Sequence, residues 1–401
     1  MKPLTTIRIA YSNLIGKPGR AASLVIVVAI MAFAFFGGAV LSLSLDNGLN
    51  SLSARLGADI AVVPLGSEAE YENVILAGAP VNFYFDRAIK QQVAEIPGVE
   101  QVTAQFYLAT LADAECCSVQ TQIIGIDYDT DFVVTPWIGE LINRQIGDGE
   151  VIVGSDVIIS RDNTITFFDN ELTVAARLER TATGMDSTVF VNMYTAHEIA
   201  LAAQLGGYIP PYVDIYNAAS TVLVNVSPNY DTAMVLELIR RNVPDVGLVA
   251  AYGIYSSMAM NLRFFTGIIT TITVVLGIFA VFILAVLFSL ITGGRKKEFA
   301  VIRILGATRR KLANIVLAEA FNISFLGAVL GCFFAGIIVF PFGRYIGVQM
   351  GMPLLLPGVF ESVLLLIFSL VLAIAVGPLA SAYSAWKISR AETYATMREG
   401  E

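Results

Sequence analysis

Histidine is nearly absent, with one in 401 residues, and cysteine is scarce at three. A single imidazole leaves most zinc sites and His-dependent nucleophile or general-base chemistries without their key group, and three thiols cannot build a disulfide framework. Charge is thin too. Only 14% of residues are charged, where soluble domains run near a quarter, and 25 basic residues against 33 acidic ones exclude a cationic nucleic-acid binder. Apolar residues fill the space at 56% of the chain, for a mean hydropathy of +0.70, which is the composition of a membrane protein.

Four runs are long and apolar enough to cross a bilayer, which takes about 20 residues at 1.5 Å each. They cover 21–45, 264–292, 315–340 and 359–386. Only Glu319 and Glu361 put a formal charge inside these limits, both near an end where a carboxylate is expected to reach the interface. The first run is too long for a secretion signal and lacks a small-x-small cleavage site, so it reads as an uncleaved anchor. Ahead of it, residues 1–20 place Leu4, Ile7, Tyr11 and Leu14 at helical spacing, the pattern of an interfacial helix lying on membrane lipid.

Basic residues near span ends stay in the cytoplasm. Residues 1–20 carry four basic and no acidic residues, 293–314 carry seven basic and one acidic, and 46–262 carry nine basic and 27 acidic, for a net −18. Both termini, the loop at 293–314 and the tail at 387–401 are therefore expected inside the cell membrane, with 46–263 and the connection at 341–358 outside. The −18 balance suits an exported domain in water, with attraction of cationic cargo as the alternative.

The long external segment contains an echo. FDRAIKQQVAEIPGVEQV from Phe85 and YDTAMVLELIRRNVPDVGLV from Tyr230 each give an acidic N-cap, an amphipathic helix, a proline-containing turn and a β-rich run. Each reads as half of a split α/β unit. Strands are expected at 58–64, 101–111, 119–126, 221–226 and 246–251, and residues 128–214 read as an inserted, mostly β subdomain. The fold class is a four-span α-helical membrane protein with a large α+β extracytoplasmic domain.

The most informative stretch is RKKEFAVIRILGATRRKL, Arg295 to Leu312. Basic ends flank a short apolar helix that places Phe299, Ile302 and Leu305 on one side and leaves Glu298 and Arg303 for a partner. A positive-inside anchor accounts for the basic residues but not for the Leu-Gly-Ala turn at 305–307. This pattern resembles the cytoplasmic coupling helix of the FtsX-like and MacB-like ABC transporter permeases. The resemblance extends along the chain: an N-terminal helix, four spans, a large domain between the first and second similar to the MacB-like periplasmic core, and a C-terminal tail in which Ala391 stands where a proline is common. It implies a permease dimer, as homodimer or with a paralogue, coupled to an ABC ATP-binding subunit and working by mechanotransmission, with Glu298, Arg303, Leu305 and Gly306 at the ATPase. Neither a Walker A sequence nor an LSGGQ signature occurs, so the chain is expected to be no enzyme, to bind no cofactor and to leave ATP to that partner. An FtsX-like scaffold controlling an external protein, or a permease of an iron- or copper-handling system, are the alternatives.

Other features carry less. Small residues recur as Ala34, Gly38 and Ser42 in the first span and as Gly327, Gly331 and Ala335 in the third, suited to close helix packing within the chain or across a dimer. Adjacent Cys116 and Cys117 supply at most half a soft-metal coordination sphere, and otherwise a vicinal disulfide or two thiols. Asp127, Asp129 and Asp131 imitate the opening of a calcium loop, but Phe132 stands where its glycine belongs, which favours a solvated turn. His197 reads as a surface helix residue, and Cys332 as a small buried one.

Overall fold

A computed structural model describes residues 18–110, 117, 121–142, 144–304, 306–350 and 353–390. In chain order the elements are α1 (Pro18–Leu56), β1 (Ile60–Pro64), α2 (Glu68–Ala77), β2 (Phe85–Asp86), α3 (Ile89–Ala94), β3 (Val99–Ala109), β4 (Gln122–Ile126), α4 (Thr135–Ile142), β5 (Glu150–Val153), β6 (Thr164–Phe167), β7 (Asn170–Arg177), β8 (Thr188–Asn192), α5 (Met193–Leu205), β9 (Ala218–Ala219), β10 (Thr221–Val226), α6 (Thr232–Asn242), β11 (Val246–Ala250), α7 (Ala251–Gly293), α8 (Lys296–Ile304), α9 (Arg309–Met350) and α10 (Val359–Arg390). They sort into two units, a helical one drawn from the chain up to Ser44, Arg263–Arg344 and the chain from Leu356, and an α/β one from Leu45–Leu262 and Tyr345–Leu355.

In the α/β unit nine strands form one sheet in the order β11-β1-β10-β3-β4-β8-β5-β7-β6. Neighbours run antiparallel except β4 with β8 and β5 with β7. Its first four strands, with α3 and α6, make a β-α-β-β-α-β arrangement in which Ile60 faces both Val224 and Ala250, and Val222 faces Ala104. The period-2 geometry of a strand explains why β1 is apolar throughout. Ile60 and Val62 are buried beneath α3 and α6 with Val93, Val235 and Ile239, while Ala61 and Val63 enter a second core on the opposite face with Tyr107, Ile124 and Phe190. Asp231 caps α6, its side chain accepting from the Ala233 N–H at 3.0 Å. The matching Asp86 is not the cap of α3; it accepts from the Ala88 N–H at 2.8 Å, and Ala88 takes the cap position. Residues 128–214 extend the same sheet through β8, β5, β7 and β6, and α5 lies over β4, β8 and β3 by Ala196, Ile199, Ala200 and Ala203.

In the helical unit, α1, α7, α9 and α10 are each long and apolar enough to cross a membrane, over Ala21–Ala54, Ala251–Gly293, Arg309–Gly343 and Val359–Trp386. All four helices outrun the hydropathy limits: α9 runs from Arg309 to Met350, taking up the first half of the connection expected at 341–358, and α10 runs to Arg390. α1 continues past Leu45 because Leu49 and Leu52 recur on one face and are buried, and α7 starts at Ala251 because Ile254 and Met258, one turn apart, pack into the α/β core ahead of the span. Small residues set the helix spacing, as expected where lipid offers no hydrophobic drive for association. A Cβ at Gly327 would lie 2.6 Å from the Val28 Cβ, and one at Gly331 would press the Ala29 carbonyl and lie 2.8 Å from the Ala32 Cβ, so α9 seats directly on α1. Ala335 continues that contact opposite Gly37. On the other side of α1, Gly38 faces Thr273 of α7, whose hydroxyl donates to the Ala34 carbonyl at 3.5 Å, and Gly377 of α10 fits against Ala320 and Ser324 of α9. Gly38 of the first row and Gly327, Gly331 and Ala335 of the second thus contact neighbouring helices of the same chain.

Candidate functional site

The short helix α8 sits between two long ones and has two unlike faces. Phe299 and Ala300 are buried, and Phe299 and Ile302 pack with Leu312 and Val316 of α9 and Ala385 of α10. Val301 and Ile304, three residues apart and so on one side of the helix, are 52% and 62% exposed. Glu298 lies in the first turn and Arg303 in the last, each with the sign that the helix dipole favours. The helix then stops by a Schellman turn: the Ala307 N–H donates to the Ile302 carbonyl at 3.2 Å and the Gly306 N–H to the Arg303 carbonyl at 3.0 Å. Gly306 holds φ +93°, which a side chain disfavours, and this is why the stretch carries glycine there. Leu305 lies outside the described residues. Past the turn, the Thr308 hydroxyl accepts from the Lys311 N–H at 3.4 Å and starts α9, so Arg309, Arg310 and Lys311 belong to that helix and not to α8.

The electrostatic centre is a pair that sequence reasoning did not join. Arg295, just ahead of α8, is 6% exposed, and its Nη1 donates to both carboxylate oxygens of Glu319 in α9, at 3.0 and 2.8 Å. Its Nε donates to Glu298 at 2.7 Å, and its guanidinium carbon lies 5.2 Å from the centroid of the Phe299 ring. Glu319 does not reach toward an interface as expected; it is 8% exposed and neutralised in place. Glu298 remains about half exposed, shared between solvent and Arg295. Arg303 is half-buried. The signal available in the sequence was Glu319 itself, an acidic residue inside an apolar run, which calls for a cation nearby. Glu361 follows a different course: it is exposed and accepts from the Gly358 N–H at 3.2 Å, capping α10.

The remaining sequence candidates do not assemble a site. Cys116 lies outside the described residues, while Cys117 is half-buried and bridges Phe167 through its backbone. Among the described residues, no group of three His, Cys, Asp or Glu side chains is placed to hold a metal. Asp127 is paired with Arg87 at 3.0 Å and Lys90 at 3.4 Å; burial opposes ionisation, but these cations prevail and hold its carboxyl below the usual range. Asp131 caps α4, accepting from the Val134 and Thr135 N–H groups at 2.8 and 2.6 Å, while Asp129 is exposed. The acidic triplet is thus divided among structural tasks. His197 is not a plain surface residue: its ring lies 5.9 Å from that of Phe106 and 5.2 Å from that of Tyr216, and its buried Nε2 has no hydrogen-bond partner among the described residues. Cys332 is buried among the spans.

Residues 270–393 match the family model for the FtsX-like permease C-terminal domain, a stretch that holds α8, Arg295 and Glu319. No curated protein matches the chain in sequence. Among solved structures, the periplasmic region of MacB from Actinobacillus actinomycetemcomitans is similar over 51% of this chain and 94% of its own, with 10% identity and a TM-score of 0.32. The extracellular domain of YknZ, a noncanonic ABC-type transporter from Gram-positive bacteria, is similar over 48% of this chain and 98% of its own, with 11% identity and a TM-score of 0.28.

Proposed function

We propose that this chain, an FtsX-like permease through its residues 270–393, is the membrane subunit of an ABC transporter and passes the work of a separate ATPase to its external α/β domain. The observation that supports this reading most is α8: a helix pinned on one side by the Arg295–Glu319 pair and by Phe299, with Val301 and Ile304 bare on the other. In this reading ATP is bound and hydrolysed by a partner, and the bare face of α8 offers it an apolar contact. Force applied there enters α9 through the ion pair, and α1 through the close contacts at Gly327 and Gly331. α1 and α7 run unbroken beyond the apolar spans, to Leu56 and from Ala251.

In this mechanism both termini and α8 face the cytoplasm, two copies or paralogues act as a dimer, and substrate is expelled or handed over on the outer side. The chain itself performs positioning and force transfer, with no bond-making step. The test is co-purification with its ABC ATPase: Ile304→Asp, which puts a charge into the proposed contact without touching the buried face of α8, is expected to lower retention of the ATPase at least tenfold. Retention equal to wild type rejects the contact.

A further inference from the structure

Above the ion pair, the far half of the helical unit contains a groove of about 650 Å³ between α9 and α10, closed at its back by Phe36 of α1. Its walls come from Val329 to Phe340 on α9 and from Val359 to Leu370 on α10. Each stretch is 12 residues, about 16 Å of helix from first to last at 1.5 Å per residue, close to the depth of one leaflet in a hydrocarbon core of about 30 Å. The volume lies within the range of small-molecule sites. Gly336 opens the floor, since a Cβ there would meet nothing within 4 Å.

The chemistry of the walls selects the occupant. The side-chain hydroxyl on them, that of Ser362, already donates to the Pro357 carbonyl at 3.2 Å, and among the described residues no charged side chain lines the groove. A free fatty acid or an amphipathic drug would find nothing to receive its polar head. Phe333, Ile337 and Val363 are nevertheless 59%, 51% and 48% exposed within the chain, at positions on two apolar spans where the surrounding medium is lipid tail. A cleft of this volume cannot stay empty without losing dispersion contacts along both walls.

We propose that this groove is a binding site for one acyl chain of a bilayer phospholipid, taken from the leaflet in which α10 begins, with the headgroup left at the interface. The bound chain fills the space beside Gly336 and packs α9 to α10. This is separate from the ATPase contact on α8, and its failure would leave that reading untouched.

The experiment uses the full chain, purified in detergent from vesicles of palmitoyl-oleoyl phosphatidylcholine, with retained phospholipid counted by native mass spectrometry. Wild type is expected to keep about one lipid per chain after detergent washing. Gly336→Phe and Val363→Phe, which fill the groove from opposite walls, are expected to lower that occupancy at least fivefold, while Ile272→Phe on exposed α7 leaves it unchanged. Two fillers guard against one failing to fold. Full retention in folded Gly336→Phe or Val363→Phe, or equal loss in Ile272→Phe, overturns the proposal.

Discussion

Replacing Glu319 with leucine should release α8 while leaving the spans in place. The substitution strands Arg295, which is 6% exposed, with Glu298 as its remaining carboxylate. Removing one partner of a buried ion pair costs about 3–5 kcal/mol. Glu298 is about half exposed and still accepts from Arg295 at 2.7 Å, so the low end, about 3 kcal/mol, applies here. At about 1.4 kcal/mol per tenfold, the undocked population of α8 rises roughly a hundredfold. Amide hydrogen exchange across α8 in the intact protein reads this directly, with the centre of α9 as an internal reference expected to change little. The paired replacement Arg295→Met with Glu319→Leu removes both charges and keeps apolar bulk beside Phe299, and is expected to return exchange to within about tenfold of wild type, because apolar isosteres replace buried pairs at little cost. A Glu319→Leu protein with wild-type exchange in α8, or a double variant no better than the single one, refutes the claim that the pair pins the helix.

Gly331→Leu would drive a side chain into the Ala29 carbonyl and Ala32 of α1, so the yield of folded protein should collapse, whereas Gly267→Leu, where a Cβ meets nothing within 4 Å, should express normally; gel filtration of the detergent-solubilised chain checks both. At Gly306 a Cβ likewise meets nothing, so Gly306→Ala should cost only the left-handed conformation, about 1–2 kcal/mol, seen as roughly tenfold faster exchange in the last turn of α8. His197 supplies a pH test. Burial, and then the nearby Arg87, lower its pKa in the folded protein, so the unfolded chain takes up a proton first as pH falls. Its contribution to stability is complete above about pH 6.5 and is lost progressively below that value. The melting temperature of the α/β unit within the full chain should fall between pH 7 and 5, less steeply in His197→Phe, and parallel curves for the two proteins would dismiss the role of this ring.

What could be read from the sequence was whatever local pattern decides. β10 begins and ends at Thr221 and Val226 as expected, because a β-branched run is bounded by turn residues, and α6 starts behind its Asp231 cap. The four long helices follow from hydropathy, but their amphipathic extensions do not, since Leu49, Leu52 and Ile254 sit among polar residues that a hydropathy window averages away. The joining of 128–214 to one nine-stranded sheet rests on the parallel β4–β8 pairing, and no local pattern specifies which strands become neighbours. In the site, the glycine of the Leu-Gly-Ala turn announced a helix stop. Arg295 and Glu319 were visible only as separate charges, because their meeting depends on α8 folding back on α9 across 24 residues. The small-residue rows were legible as packing surfaces; that Gly327 and Gly331 seat on Val28, Ala29 and Ala32 of α1 is a fact of three dimensions.

The measurement closest to the central claim is a photo-crosslink from position 304. A photoreactive amino acid in place of Ile304, in the full chain in its native membrane, should give an adduct whose mass and peptides are those of this chain plus an ABC-type ATP-binding subunit. The same probe at Tyr212, 85% exposed in the α/β unit, should not. An ATPase adduct from position 304 alone supports a force path entering at α8. Adducts to lipid only from position 304, or an ATPase adduct from position 212, contradict it.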